Sequence, residues 1–167
     1  MFGIGQYVVK ANTGVCRISA ITTYQVSSDD DDDTLYYNLV PESDRRSVLF
    51  VPVDSEKSNM RCIMTKEEAA EFVNGISGIA TAWIASDRLR EQYYKEAIKS
   101  NKPEALVSII KNLYLRNRER EEHGKKSTAI DDRYSRIAEA VLYPELAIAL
   151  GKEVEEIRDF IIGTLEG

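Results

Sequence analysis

The residues best suited to chemistry in this sequence are Trp83, its only tryptophan, and the arginines Arg88 and Arg90 that follow it. An aromatic side chain can wedge between base pairs and hold a duplex open, at an unstacking cost of roughly a few kcal/mol. Guanidinium groups one to two helical turns away can contact phosphates. This spacing is compatible with a DNA-distorting site. The residues alone favour the other interpretation, a tryptophan packed in the core beside Ile79 and Ile84.

The charge distribution also points to a polyanion. The chain has a formal net charge of −6, yet residues 71–126 carry 11 Lys and Arg against 8 Asp and Glu. A basic surface raises the local concentration of anions even on an acidic protein. We predict phosphate contacts by Lys125 and Lys126 in addition to Arg88 and Arg90. Sequence specificity is expected to be weak, because no predicted helix presents the spaced Asn or Gln side chains that read bases.

The elements that position these residues change character near residue 65. Before it lie short runs of β-branched and aromatic residues, which predict strands; about five of them fit a small antiparallel barrel. Cys16 and Cys62 lie in two of these runs without a CxxC spacing. We expect two buried thiols rather than a disulfide or a zinc site. The runs cover residues 7–9, 15–18, 21–26, 35–40, 47–53 and 60–64.

After residue 65 the apolar residues recur at the helical period. Thr65 and Glu68 form a capping box that predicts a short linker helix. Further helices are predicted over residues 86–100, from Pro103, over 128–151 and over 153–161. The expected inward residues are Leu89, Tyr93, Ala97, Leu106, Ile109, Ile110, Leu113, Tyr114, Ile130, Tyr134, Ile137, Val141, Leu142, Val154, Ile157 and Phe160.

These elements predict an α+β chain in two domains. The first is a small antiparallel β-barrel over residues 1–64, the second an all-α helical bundle over residues 79–167, and residues 65–78 form the linker helix.

Several function classes are disfavoured. No nucleotide-binding or metalloprotease motif is present, and the single histidine, His123, has no nucleophile beside it. We therefore expect a protein that is not an enzyme and that uses no metal or other cofactor. Residues 29–33 are all Asp and are expected to solvate a hairpin tip, because consecutive carboxylates lack the spacing of a calcium loop. No apolar stretch is long enough to span a bilayer, so we expect a cytoplasmic protein without membrane contact.

Short segments follow one another in a specific order along nearly the whole chain. They are Phe2, Gly5, Val8-Val9, Gly14-Val15, Ile18, Val51-Pro52-Val53, Trp83 with Arg88 and Arg90, the helix over 109–120, and Leu146-Ala147-Ile148-Ala149-Leu150-Gly151. Taken together with their spacing, these segments resemble the CarD family of bacterial transcription regulators.

The resemblance implies a Tudor-like N-terminal barrel, shared with the transcription-repair coupling factor, that binds the β subunit of RNA polymerase. It implies a helical C-terminal domain that contacts promoter DNA. In that arrangement Trp83 is wedged into the minor groove at the upstream edge of the bubble and stabilises the open promoter complex. Members of the family are not enzymes, and we expect a monomer.

The resemblance places the polymerase contact on the strand entering Val51-Pro52 and on the strand after the Gly-Val hairpin. Family members often carry arginines there, whereas this chain has Tyr24 and Phe50. We predict an apolar or hydrogen-bonded contact assisted by Arg45 and Arg46, with pairing through main-chain groups at the strand edge. Burial of Phe50 in the core is the alternative.

A second function class stays open. The chain could be a polymerase-binding adaptor whose helical domain contacts another protein, with Trp83 as an aromatic interface anchor. An exposed Trp83 beside Arg88 and Arg90 on a basic face favours DNA, whereas an apolar patch rimmed by acidic residues favours protein.

Overall fold

The structure is a computed structural model that describes residues 1–24, 34–55, 58–81, 84 and 86–166. The described residues form five strands followed by five α-helices, which confirms the prediction of an α+β chain. The strands are β1 (Tyr7–Lys10), β2 (Gly14–Tyr24), β3 (Thr34–Pro41), β4 (Leu49–Pro52) and β5 (Met60–Cys62). The helices are α1 (Lys66–Asn74), α2 (Asp87–Ser100), α3 (Pro103–Glu122), α4 (Ala129–Leu150) and α5 (Val154–Glu166), with a short 3₁₀ turn at Ile76–Gly78.

The five strands form one antiparallel sheet in the order β4-β3-β2-β1-β5. Two of the predicted runs, 15–18 and 21–26, merge into the single long strand β2, because a bulge between Ile18 and Ala20 absorbs the break in alternation. The acidic run at 29–33 lies outside the described residues.

Side-chain alternation gives the sheet two different faces. Ile18, Tyr37, Leu39 and Val51 point inward and, with Val8 and Cys16, make a small hydrophobic cluster. The opposite face of β2, β3 and β4 carries Tyr24 and Phe50, which are exposed. Successive residues of a strand point to opposite faces, so burying the odd-numbered residues of β3 and β4 exposes the even-numbered ones.

The helices begin at the predicted caps. The Thr65 and Thr128 hydroxyls accept hydrogen bonds from the main-chain N–H groups of Glu68 and Asp131. Pro103 occupies the first turn of α3. Helix α4 continues through Pro144 to Leu150 and is capped by Gly151, whose φ of 65° is the left-handed conformation that glycine adopts without strain. None of the helices in the described ranges combines the length and apolar composition needed to cross a bilayer.

The inward face of three helices differs from the prediction. On α2, Leu89 is exposed and Arg90 is buried, because Tyr94, Ala97 and Ile98 set the phase of the buried face. On α4, Ile130 is exposed and Asp131 is buried. On α5, Phe160 is exposed, because the buried positions are Ile157 and Ile161, spaced four residues apart. The predicted core residues Leu106, Ile109, Ile110, Leu113, Tyr134, Val141 and Leu142 are all buried.

The larger hydrophobic cluster joins the sheet to the helices. It contains Val9, Val15 and Met64 from the β region together with buried residues of α1 to α5. Gly14 lies against α4 so closely that a Cβ added there would be 3.2 Å from the Ala140 carbonyl oxygen. Ala69 of the predicted linker helix is fully buried in the same cluster. The domain boundaries at 64 and 78 stay a prediction.

A buried ion pair fixes β5 against α4. Both guanidinium Nη atoms of Arg61 donate to the Glu145 carboxylate, at 2.6 and 2.7 Å, and the main-chain N–H of Met64 donates to the same group at 2.9 Å. Arg61 Nε donates to the Asn101 carbonyl at 2.6 Å. Glu145 is fully buried, so its charge depends on these donors.

We expect Arg61→Ala to lower the free energy of unfolding by about 3–5 kcal/mol, because it leaves the buried Glu145 carboxylate uncompensated. Urea denaturation followed by circular dichroism measures this. Arg45→Ala is the matched control, since Arg45 pairs with Glu42 at 3.0 Å on the surface, and exposed pairs contribute about 0–1 kcal/mol. Equal losses in the two variants would contradict a structural role for the buried pair.

The two thiols differ, contrary to the prediction that both are buried. Both cysteines are free, Cys16 in the interior and Cys62 exposed on β5, the short edge strand. Burial raises the pKa of the Cys16 thiol to about 11, and only the thiolate reacts readily.

A thiol reagent at pH 8 is therefore expected to label one cysteine of the native protein quickly, and the second only after denaturation. Absorbance after mixing with Ellman's reagent measures both phases. Cys62→Ser should abolish the fast phase and leave the slow one. Two thiols that react at equal rates in the folded protein would show that Cys16 is accessible.

Candidate functional site

The outer face of the sheet carries an aromatic cluster formed by Tyr24, Tyr36 and Phe50. The Tyr24 and Phe50 rings meet edge to face at a centroid distance of 5.2 Å, and Tyr24 meets Tyr36 at 5.7 Å. Tyr24 is 44% exposed and Phe50 is 51% exposed. Neither residue is core, so the structure answers the question that alternation left open for Phe50. Exposed aromatic side chains held against each other are typical of protein-binding surfaces.

Register explains how these residues come together. Phe50 on β4 lies opposite Asn38 of β3, and Tyr36 lies opposite Pro52 and Thr22 on its two neighbours. All of these positions share one face of the sheet. The sequence prediction named Tyr24 and Phe50 and missed Tyr36. The period-2 pattern of β3 contained that signal once Tyr37 and Leu39 were known to be buried.

The cluster lies beside a free strand edge. β4 is an outer strand of the sheet and, among the residues that the structure describes, pairs only with β3. The N–H of Val53 donates to the Leu35 carbonyl at 2.9 Å. In an antiparallel pair, the residues whose main-chain groups bond to the neighbouring strand recur at every second position. The N–H and C=O of Phe50 therefore point away from β3, and Pro52 has no N–H to leave unpaired. The edge offers both main-chain groups of Phe50 to a partner strand.

The other residues predicted at this surface are placed differently. Val51 is buried and faces the core, because alternation puts it opposite to Phe50, so its side chain is not available. Arg45 and Arg46 are exposed in the turn between β3 and β4. Tyr24 pairs with Thr34 at the start of β3, whereas the turn with the arginines follows Pro41 at its end. Thr34 and Pro41 are seven residues apart, or about 23 Å along the strand. The arginines and Tyr24 therefore do not form one site.

Acidic neighbours already engage part of this turn. Arg45 donates to Glu42 at 3.0 Å, and Asp44 accepts hydrogen bonds from the Ser47 hydroxyl and the Arg46 main-chain N–H. These bonds lower the pKa of Asp44, the Ser47 bond contributing most. The turn is consequently a mixed-charge surface rather than a purely basic one.

Of the residues predicted to contact DNA, Arg88 and Arg90 lie at the start of α2. Trp83 lies outside the described residues. Arg88 is exposed on the first turn of α2. Arg90 is only 8% exposed; its guanidinium pairs with Asp87 and donates to the Ile84 carbonyl at 3.4 Å. Arg90 thus holds the entry to α2 together, and its burial leaves it unavailable for a phosphate in this conformation.

The start of α2 and the α3–α4 connection are neighbours. The pKa of Asp87 is lowered chiefly by its hydrogen bond to Arg90, with smaller effects of the charges on Arg116 and Arg120 of α3. The Nε of Arg120 in turn donates to the Lys126 carbonyl at 2.9 Å. Lys125 and Lys126 are both exposed. The structure therefore brings Arg88 and the two lysines to the same end of the helical region.

A cavity of about 150 Å³ opens beneath this region. Tyr93, Tyr94, Leu115 and Arg116 line it together with Arg90, whose Nε has no hydrogen-bond partner among the described residues. Arg116 donates to the buried carboxylate of Asp131 at 2.8 Å, an ion pair that the sequence analysis missed because its members lie 15 residues apart on different helices.

Comparison with known proteins gives the family of the β region. The model of the CarD-like/TRCF RID domain matches residues 2–64, which ends two residues before α1 begins. A search of curated proteins found no match to this chain. RID domains interact with RNA polymerase, and the family contacts its β subunit. Residues 2–64 are therefore similar to the CarD-like/TRCF RID domain, an interaction domain, and this match supports a transcription-related role for the chain.

Proposed function

We propose that this chain is a non-enzymatic transcription regulator that acts in the cytoplasm on the initiation complex. Its RID domain, folded as a Tudor-like barrel, binds the β subunit of RNA polymerase, and its helical bundle contacts promoter DNA and stabilises the open complex. The observation that carries this proposal is the exposed aromatic cluster beside a free strand edge within the RID domain.

The polymerase contact combines two kinds of interaction. A strand of the β subunit that pairs with β4 gains main-chain hydrogen bonds from Phe50, which depend little on either sequence. The rings of Tyr24, Tyr36 and Phe50 supply apolar area next to that edge. Edge pairing with an adjacent aromatic anchor replaces the arginine-based contact that the resemblance to CarD implies.

The DNA contact is proposed around Trp83. Arg88 and the Lys125–Lys126 pair lie at the end of the helical region to which residue 83 connects, and each is exposed. Trp83 wedges into the minor groove at the upstream edge of the bubble, where base pairs are already being lost and unstacking is cheapest. Arg90 is a positioning residue here, because its ion pair with Asp87 fixes how the chain enters α2.

We expect Phe50→Ala to weaken binding to cognate RNA polymerase about 10- to 30-fold, the loss that accompanies removal of an aromatic anchor worth about 1.4–2 kcal/mol. Fluorescence anisotropy of labelled protein titrated with polymerase measures it. Phe160→Ala is a matched control, because Phe160 is a phenylalanine of nearly equal exposure, 50%, on α5. Equal weakening by both substitutions would reject β4 as the polymerase edge.

Trp83→Ala is expected to shorten the open-complex lifetime on a fork-junction promoter to near the value without added protein. A wedge that offsets about 1.4 kcal/mol of unstacking lengthens that lifetime about tenfold. The variant must first be shown to fold and to bind polymerase like wild type. If wild type and variant lengthen the lifetime equally, Trp83 is not the wedge, and an adaptor role for the helical domain becomes the better hypothesis.

A further inference from the structure

A groove of about 830 Å³ lies where the sheet meets the helices, away from the aromatic cluster and from the start of α2. Its walls come from the β1–β2 turn, the residue Asn59 before β5, and one face each of α2 and α4. No acidic residue among those described lines it. Four basic residues do: Lys10, Lys95, Lys99 and Arg133.

Hydrogen bonds fix the floor of this groove. The side-chain amide of Asn101, just past the end of α2, donates to the Val9 carbonyl at 2.8 Å and to the Asn59 carbonyl at 3.3 Å. The side-chain amide of Asn59 donates to the carbonyl of Lys99. The Ala11 N–H donates to Asn59 at 3.0 Å. The cations thus project from elements that are already locked together, so a ligand meets a preorganised surface.

Most of the positive charge in the groove is uncompensated. Among the described residues, no carboxylate lies within 4.0 Å of Lys10, Lys99 or Arg133. Lys10 Nζ donates a hydrogen bond to the Ser58 carbonyl at 3.4 Å, and the Arg133 guanidinium lies 5.6 Å from the centre of the Tyr134 ring. Lys95 is partly neutralised by Glu91 at 3.5 Å. In a chain of net charge −6 this is a local exception.

The groove is aligned with the proposed DNA contact. Arg88, Lys95 and Lys99 are spaced by seven and four residues, so they share one stripe of α2, and all three are exposed. Arg88 and Lys99 are about 16 Å apart along the helix axis at ~1.5 Å per residue. This length equals about five nucleotide steps of one B-DNA strand at ~3.4 Å each.

We propose that this stripe and the groove at its end bind the sugar-phosphate backbone of duplex DNA, so that Lys99, Arg133 and Lys10 extend the phosphate contacts of Arg88 along one strand. The proposal rests on the proposed function and adds which face of the molecule the duplex follows. The lining favours a backbone over a small nucleotide, because its aromatic residue, Tyr134, is only 3% exposed and presents no free ring face on which a base can stack.

The test is the salt dependence of DNA binding by the full chain. A fluorescein-labelled 25-bp duplex is titrated with wild type and with Lys99→Gln/Arg133→Gln at a series of salt concentrations. Each lost phosphate contact lowers the slope of log K against log salt by about 0.9. Wild type should therefore lose about tenfold more affinity than the double variant between 50 and 200 mM salt.

Lys66→Gln/Lys152→Gln is the matched control, since it also removes two exposed positive charges, at the starts of α1 and of the α4–α5 connection. We expect it to keep the wild-type slope. A slope that falls equally in both double variants reflects net charge alone and overturns the proposal. A wild-type slope in Lys99→Gln/Arg133→Gln also overturns it. So does equal displacement of DNA by inorganic triphosphate, added as a competitor, from the control variant and from the groove variant.

Failure of this inference is distinguishable from failure of the proposed function. If wild type does not bind duplex at all and does not lengthen open-complex lifetime, the DNA-binding function itself is wrong. If wild type binds and Trp83→Ala abolishes the lifetime effect while Lys99→Gln/Arg133→Gln keeps the slope, the wedge stands and the duplex does not follow this groove.

Discussion

The buried carboxylate of Glu145 is the interaction on which the rest of this structure depends. A charge removed from water must be matched by donors, and among the described residues those of Glu145 come from one end of the sheet: the guanidinium of Arg61 and the N–H of Met64. Arg61 also reaches the carbonyl of Asn101 at the end of α2. One ion pair therefore ties β5 to α4 and to α2 at once. Any movement of the RID domain against the helices has to break it.

This constraint bears on how the two contacts work together. A protein that binds polymerase through β4 and DNA through α2 acts on the bubble only if the two surfaces keep a fixed separation. The shared hydrophobic cluster and the Arg61–Glu145 pair supply that rigidity. A flexible linker would instead let the helical part move away from the promoter, and its DNA contact would add only effective concentration. Under the proposed function, rigid coupling converts polymerase binding into a defined position for the start of α2.

Much of the fold follows from local patterns, and the exceptions have physical causes. Caps at Thr65 and Thr128, Pro103 at the first turn of α3 and the runs of β-branched residues are local signals, and they place the elements correctly. The phase of α2 is different, because Arg90 is buried by its pairing with Asp87 while the apolar Leu89 is left outside. Pairs such as Arg61 with Glu145 and Arg116 with Asp131 join distant segments, and no periodicity reveals them.

The same pairs change the meaning of the basic segment. Counting charges along residues 71–126 treats every arginine as available, but Arg90 and Arg116 are largely buried and bound to carboxylates. The positive charge free to meet a phosphate is instead carried by exposed residues of α2, by the α3–α4 connection and, unexpectedly, by Lys10 of the RID domain and Arg133 of α4. Contacts of this kind read no bases. Under the proposed function, selectivity for promoters then comes from where the polymerase holds the protein, and the Phe50 edge is as important for site choice as any residue proposed to face DNA.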